Sequence, residues 1–202
     1  MSEVIKLPEP DRKGTMSLEQ AIISRRSKRQ FLGVPLSLEQ IGQLLWAAQG
    51  KQQGGKFRNI PSAGATYPLE IFAVSKNGLF HYLPEKHAIE ELSKEDVRDK
   101  IGFAAWGQKF VTDAPLTIVI AAEFSRTTGR YGERGIRYVH VEAGHAAQNI
   151  HLQAESLGLG SVSVGAFDDG AISEVLSLPE NIEPVDMVTV GHCRDAQSSR
   201  EQ

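Results

Sequence analysis

The stretch Glu133–Leu157 constrains the fold more than any other part of the chain. Ile136, Val139, Ala143, Ala146, Ala147, Ile150, Ala154 and Leu157 recur there at spacings of three and four, the period of one helix face, and Gly158 supplies a stop. The spacing predicts a helix of roughly 25 residues, about 37 Å long at 1.5 Å per residue. That is more helix than a chain of 202 residues needs to cover its own sheet. Part of its alanine-rich face is therefore expected to lie against a partner chain.

The remaining segments do not alternate regularly between strand and helix. Ser17-Leu18-Glu19-Gln20 and Ser37-Leu38-Glu39-Gln40 each fit a capping box, in which Ser and Gln satisfy amides at a helix start. After the second, Ile41, Leu44, Leu45 and Ala48 keep helical spacing and Gly50 ends the run, so Leu38–Gln49 should be a core-facing helix. Leu69–Ser75 and Leu79–Leu83 are β-rich runs around Lys76-Asn77-Gly78, a hairpin signal. Leu116–Ala122 is a continuous apolar run suited to a buried strand. Leu159–Val164 and Val185–Val190 complete about five strands, and Ala171–Leu176 is a helix capped by Asp168 or Asp169. This order implies an α+β fold with a mixed sheet flanked by helices.

Composition excludes several classes of function. The chain is 41% hydrophobic and 23% charged, as expected of a globular protein with its own core. Cys193 is the single cysteine, which excludes an internal disulfide and multi-cysteine zinc sites and fits a reducing cytoplasm. No apolar run approaches the length of a membrane span, and Met1–Gly14 carries charges and prolines where a signal peptide needs an apolar centre. With 22 Lys and Arg against 25 Asp and Glu the formal charge is −3, so no global field draws the protein to nucleic acid. His140, Glu142, His145 and His151 share the long helix but do not form His-Glu-x-x-His. They read as helix-surface or interface polar groups, and no metal is expected.

Three features can carry chemistry. Arg25-Arg26-Ser27-Lys28-Arg29 places four cations and a hydroxyl in five residues of an acidic chain. Such a cluster serves a helix C-terminus, a phosphate or a nucleic acid, and the lack of interleaved aromatics disfavours the last. Pro61-Ser62-Ala63-Gly64-Ala65-Thr66-Tyr67-Pro68 presents backbone with almost no side chain, against which a flat ligand can lie. It can equally be a plain connection into the next strand. Gly158-Leu159-Gly160 and Val164-Gly165-Ala166-Phe167 form a second small-residue region, without the Gly-x-Gly-x-x-Gly or Walker spacings of nucleotide-binding loops.

Taken in order, Leu18–Ile22 with Arg25–Phe31, Pro61–Pro68, Gly144-His145-Ala146-Ala147-Gln148-Asn149, Gly158–Gly160, Gly165–Asp169 and Val190–Arg194 resemble the nitroreductase superfamily over nearly the whole chain. Within it the chain is most similar to the SagB-type dehydrogenases. The resemblance implies one FMN-binding domain over 1–202, with an arm over 1–14 and a tail over 195–202. It also implies an intertwined homodimer with two FMN molecules at its interface, and hydride transfer between a donor such as NAD(P)H and a small organic acceptor. By position it assigns Arg25, Arg26, Ser27, Arg29 and Arg194 to the phosphate and ribityl end. It assigns Pro61, Ser62, Ala63 and Gly64, reaching over from the other subunit, to the flavin, with Gly165, Ala166 and Gln108 near the ring. Arg130 and Tyr131, in a charged, glycine-flanked loop, match the catalytic Lys-Tyr pair of the azoline dehydrogenases with arginine in place of lysine. Ala65, Tyr67 and Gly165 stand where better-known nitroreductases carry asparagine, glutamine and an acidic residue. The alternatives are a flavin carrier or sensor that does not turn over, and an azoline dehydrogenase.

Overall fold

The computed structural model describes residues 3–52 and 54–193. Seven strands, β1 (Val4–Lys6), β2 (Leu69–Ser75), β3 (Gly78–Leu83), β4 (Ala88–Ser93), β5 (Leu116–Ala122), β6 (Gly160–Val164) and β7 (Glu183–Gly191), form one sheet in the order β1-β4-β3-β2-β5-β7-β6. The α+β expectation holds. Every pairing of the seven strands is antiparallel, and a parallel pairing enters only as an isolated bridge between Ser27 and Ser161.

Seven helices flank the sheet: α1 (Leu18–Ser24), α2 (Leu38–Gln49), α3 (Arg98–Ala104), α4 (Lys109–Asp113), α5 (Ser125–Tyr131), α6 (Arg134–Ser156) and α7 (Asp169–Leu176). The central strand β5 is buried along its whole length. Leu116, Ile118, Ile120 and Ala122 face α2 and α6, where Leu44, Leu45, Val139, Ala143, Ala146 and Ile150 pack. Val119 and Ala121 face the opposite layer with Ile101, Ala104, Ile172 and Leu176. Burial on both faces explains why this strand reads as an unbroken apolar run rather than an alternating one.

Both serine caps form, with unequal completeness. Ser37 Oγ accepts from Gln40 N–H while Gln40 Oε1 accepts from Ser37 N–H, a full capping box. Ser17 Oγ accepts from Gln20 N–H, but the Gln20 side chain turns to Ser24. Ser37→Ala should therefore cost about 1 kcal/mol of stability, read as a lower denaturant midpoint at unchanged slope.

The long helix runs over 23 residues, close to expectation. Of its predicted stripe, Val139, Ala143, Ala146, Ala147, Ile150 and Ala154 are buried, Leu157 just past its end is half-buried, and Ile136 is exposed, as is Val141. In the β2–β3 hairpin the positive φ falls on Gly78, whose added Cβ would collide with the Ser93 carbonyl. Strands β1 and β4 and helices α3, α4 and α5 were not expected. The three helices have five to seven residues and begin at Val97, Gln108 and Phe124 without a side-chain cap, so they lack both the length and the start signal that reveal a helix.

Candidate functional site

Arg25 closes α1, and the five-residue basic cluster then divides by what each side chain touches. Arg26 donates to the Ile23 and Arg25 carbonyls, so it serves the helix end. Ser27 bridges to Ser161, and Lys28 donates its N–H to the Ser161 carbonyl while its ammonium lies 3.2 Å from Glu155. Arg29 stacks over the Phe110 ring at 5.5 Å. Arg25 and Arg29 make no salt bridge among the described residues.

Beside them, His151 bonds Ser161 Oγ at 2.7 Å and Ser163 Oγ at 2.9 Å through its two ring nitrogens. Burial, and then the Arg25 charge, hold this imidazole down to about 4. It is therefore neutral at physiological pH, and the stability it contributes above 6.5 is lost as pH falls through about 4.

The end of β6 approaches the same region. Gly165 and Ala166 are exposed, with open space around the position of a Gly165 Cβ. Gln108, at the start of α4, donates through Nε2 to the Ala166 carbonyl at 3.1 Å and to the Ala105 carbonyl at 2.9 Å, and Asp168 N–H donates to the Ala104 carbonyl. Phe110 follows Gln108 by two residues and meets Arg29. The structure thus links Arg25, Ser27, Arg29, Gln108, Gly165 and Ala166 around β6 through the Ser27–Ser161 bridge, the Arg29–Phe110 stack and the Gln108–Ala166 hydrogen bond.

Pro61, Ser62, Ala63 and Gly64 form a different cluster. The segment turns tightly, with Gly64, Ala65 and Tyr67 at φ 61, 55 and 47°. A Cβ at Gly64 would lie 2.6 Å from Tyr131 Oη and 2.7 Å from Arg130 Nη1, so those two side-chain ends would have to shift, and the φ of 61° favours glycine. Arg130 donates to the Gly64 carbonyl at 3.2 Å. The loop expected to hold Arg130 and Tyr131 is the last turn of α5. Ion pairs of Arg126 with Glu70 and Glu123, its hydrogen bond to the Tyr67 carbonyl, and a Thr66–Thr127 hydroxyl contact fix that helix.

The two clusters stand at strands β2 and β6, with β5 and β7 between them, roughly 14 Å of sheet at ~4.8 Å per strand. Arg194 lies outside the described residues.

Several side chains escaped the sequence reading. Glu142 and His151, read as helix-surface or interface polar groups, are buried. They fall on the apolar stripe, three residues after Val139 and four after Ala147, so the periodicity held the signal. Burial pushes the Glu142 carboxyl up to about 7, against opposing effects from Ser62, Arg58 and Gln49. Its stabilising contribution is full below 4.5 and is lost as pH rises through about 7. Arg58, Gln49, Phe110 and Arg126 carried no local signal. Among the described residues no group of three or more His, Cys, Asp or Glu could hold a metal ion, and no helix is long and apolar enough to cross a membrane.

The model of the nitroreductase family matches residues 22–192. A Methanocaldococcus jannaschii protein whose name assigns it to the nitroreductases is 44% identical over 186 residues, 89% of this chain and 93% of that one. The crystal structure of a Ralstonia eutropha protein, also named as a nitroreductase, is similar with a TM-score of 0.86 and 34% identity, over 95% of this chain and 90% of that one. An FMN reductase [NAD(P)H] of Bacillus subtilis is 24% identical over 195 residues, 90% of this chain and 68% of that one.

Proposed function

Because the chain belongs to the nitroreductase family, we propose that it is an FMN-binding oxidoreductase acting as a homodimer, moving hydride from a donor such as NAD(P)H to a small organic acceptor. One observation carries the reading. Arg25 and Arg29, two guanidiniums without a salt bridge among the described residues, flank the Ser27 bridge to β6, the strand that leads to the open Gly165–Ala166 edge, and Arg29 stacks on Phe110, two residues from the fixed Gln108 amide. Unpaired guanidiniums in an acidic chain suit a phosphate, and a bare backbone edge suits a planar ring. The donor set fits FMN, and a related FMN reductase supports the choice of cofactor.

In this reading Arg25 and Arg29 hold the phosphate, with Ser27 adding a hydroxyl, and Arg194, outside the described residues, is assigned to the same phosphate by the family resemblance alone. Arg26 contributes least, since its guanidinium is engaged by its own helix. Gln108 keeps the Ala166 carbonyl in place, and the backbone at Gly165 and Ala166 lines the ring. The partner's Pro61, the partner's Ser62, the partner's Ala63 and the partner's Gly64 cover the ring from across the interface. Exposed Leu18, Ile22, Ile23, Ile136 and Val141 supply apolar surface for that interface. The bound flavin supplies the two-electron chemistry, and the protein supplies orientation, hydrogen bonding and charge. Tyr131 holds a transferable proton, and Arg130 a fixed charge that favours an anionic or carbonyl-bearing acceptor. Arginine cannot cycle as a base near neutral pH, so the narrower likeness to azoline dehydrogenases ranks second.

The purified protein should be yellow, releasing about one FMN per chain on denaturation, and light scattering should report a dimer, whose apolar interface is expected to exceed ~1,600 Å². A flavin-loaded monomer would overturn the shared site. Steady-state NAD(P)H oxidation with a panel of acceptors should show turnover, and flavin binding without it would indicate a carrier or sensor.

A further inference from the structure

Arg130 and Tyr131 stand on α5, a helix that cannot form unaided. Its seven residues include two threonines and a glycine, and no side chain caps its start, so local structure does not offset the cost of helix nucleation. Contacts with distant segments hold it instead. At Gly135 of α6 an added Cβ would meet the Thr128 backbone at 2.8 Å, so the two helices approach too closely for a side chain between them. Thr127 Oγ1 lies 2.8 Å from Thr66 Oγ1. The third tie is Arg126, whose fork is divided three ways: Nη2 lies 2.6 Å from Glu70 Oε1, Nε donates to Glu123 Oε2 at 2.7 Å, and Nη1 donates to the Tyr67 carbonyl at 3.2 Å.

Glu70 is the far end of that third tie. Every other residue of β2 is buried, and alternation puts Glu70 on the face of Phe72 and Val74, which pack into the apolar layer of α3 and α7. Its side chain is only 16% exposed, so a carboxylate there needs partners. Besides Arg126 it has His81 on β3, whose Nε2 lies 2.7 Å from Glu70 Oε2 and whose ring stacks on Phe72 at 4.9 Å. Burial pushes the Glu70 carboxyl up, but the bonds from His81 and Arg126 together outweigh it and hold the group below its ordinary value. Ionised, it only accepts, so His81 Nε2 carries the proton of that bond. A strand this apolar gains nothing from a glutamate, whereas the helix at the other end of the pair carries Arg130 and Tyr131.

We infer that Glu70 is a positioning residue for the acceptor half of the reaction: through Arg126 it fixes α5, and so the place of the Tyr131 hydroxyl and the Arg130 guanidinium. The inference rests on the reading above, in which those two groups meet the acceptor. Groups that must face a substrate cannot commit all their own hydrogen bonds to the fold, and Arg130 gives only one, to the Gly64 carbonyl at 3.2 Å. The helix is anchored one turn earlier, by Arg126 on the same side. Without the Glu70 carboxylate, Arg126 keeps Glu123 and the Tyr67 carbonyl, both in segments next to α5, and loses its charged tie to β2.

The test follows both half-reactions of the flavin-loaded dimer in Glu70→Gln, which keeps the size of the side chain and removes its charge. Reduction by NAD(P)H and reoxidation by menadione, a carbonyl-bearing quinone, are read from the loss and return of the yellow colour. Glu70→Gln should slow reoxidation about tenfold, the scale of a small displacement of a positioned group, and leave the reduction rate and FMN content unchanged. In a Tyr131→Phe background the same substitution should cost about twofold or less, because it acts through the group already removed. Independently of turnover, amide hydrogen exchange should quicken about tenfold in α5 and stay at the wild-type rate in β5 and β7. Where Glu70→Gln does not fold, Arg126→Lys, which retains a cation without the fork, should show the same split between half-reactions. Equal slowing of both half-reactions, a full further tenfold in the Tyr131→Phe background, or unchanged exchange in α5 would overturn the inference and leave the proposed function standing. A wild type whose flavin menadione does not reoxidise, or a Tyr131→Phe variant as fast as wild type, would overturn the acceptor reading, and this inference with it.

Discussion

Replacing Arg25 by alanine is expected to weaken FMN binding about 10- to 100-fold, because a charge-assisted contact to phosphate contributes on the order of 1.5–3 kcal/mol and each 1.4 kcal/mol is a factor of ten. The expectation follows from where the cation stands. Arg25 caps α1 through its backbone N–H to the Ala21 carbonyl, and that bond survives truncation of the side chain. Its guanidinium has no salt-bridge partner to leave stranded among the described residues. It lies near a neutral His151, whose proton affinity its charge already lowers. Removing it should therefore subtract ligand affinity with little effect on folding. Riboflavin affinity should be unchanged by the same substitution, since the lost contact is to phosphate. Arg26→Ala should change FMN affinity far less, its guanidinium being turned to the carbonyls of its own helix end. Wild-type FMN affinity in Arg25→Ala would show the phosphate assignment to be wrong.

Tyr131→Phe should lower turnover with the true acceptor by ~10²-fold or more, the usual scale of a positioned acid or base, while FMN content and dimerisation stay intact. Tyr131 and Arg130 end a helix that is held by the Arg126 ion pairs and by the Thr66–Thr127 contact. Their heads meet over Gly64, so they are fixed to the segment that covers the flavin in the proposed dimer. Removing the hydroxyl leaves the ring and its edge contact with Tyr138 at 5.3 Å in place, so the loss would report on the proton rather than on packing. Arg130→Lys supplies the complementary test, since lysine restores a group able to exchange a proton. Gain of azoline oxidation would show the rest of that site to be intact. Unchanged kinetics in both variants would remove the pair from the chemistry.

Helix capping, turn chemistry and hydrophobic period act between residues close in the chain, and these were legible without a structure. Ser37 and Gln40 mark the start of α2 because the capping box is complete within four residues. Leu38–Gln49, Leu69–Ser75 and Leu116–Ala122 have the expected limits, and α6 lies within two residues of them. The basic cluster and the small-residue segments were visible as unusual composition. Which basic side chains were already engaged was not visible: Arg26 turns to its own helix, Lys28 to Glu155 across the fold, and Arg29 to Phe110.

Glu142 shows most clearly where local reasoning ends. Its position on the apolar stripe was readable from Val139 and Ala146, yet charge argued for the surface. Burial came from the packing of α6 against α2, which lies about 95 to 105 residues earlier. The short helices α3 to α5 likewise depend on tertiary packing, because five to seven residues cannot offset the cost of nucleating a helix alone. The sequence by itself determined the long helix, the central strand and the chemical kinds of residue available for a site. Only the tertiary structure decided that those residues form two clusters separated across the sheet, and that the Glu142 carboxyl of the long helix is buried. Strand order and burial are set by contacts between segments far apart in the chain, and no local period encodes these.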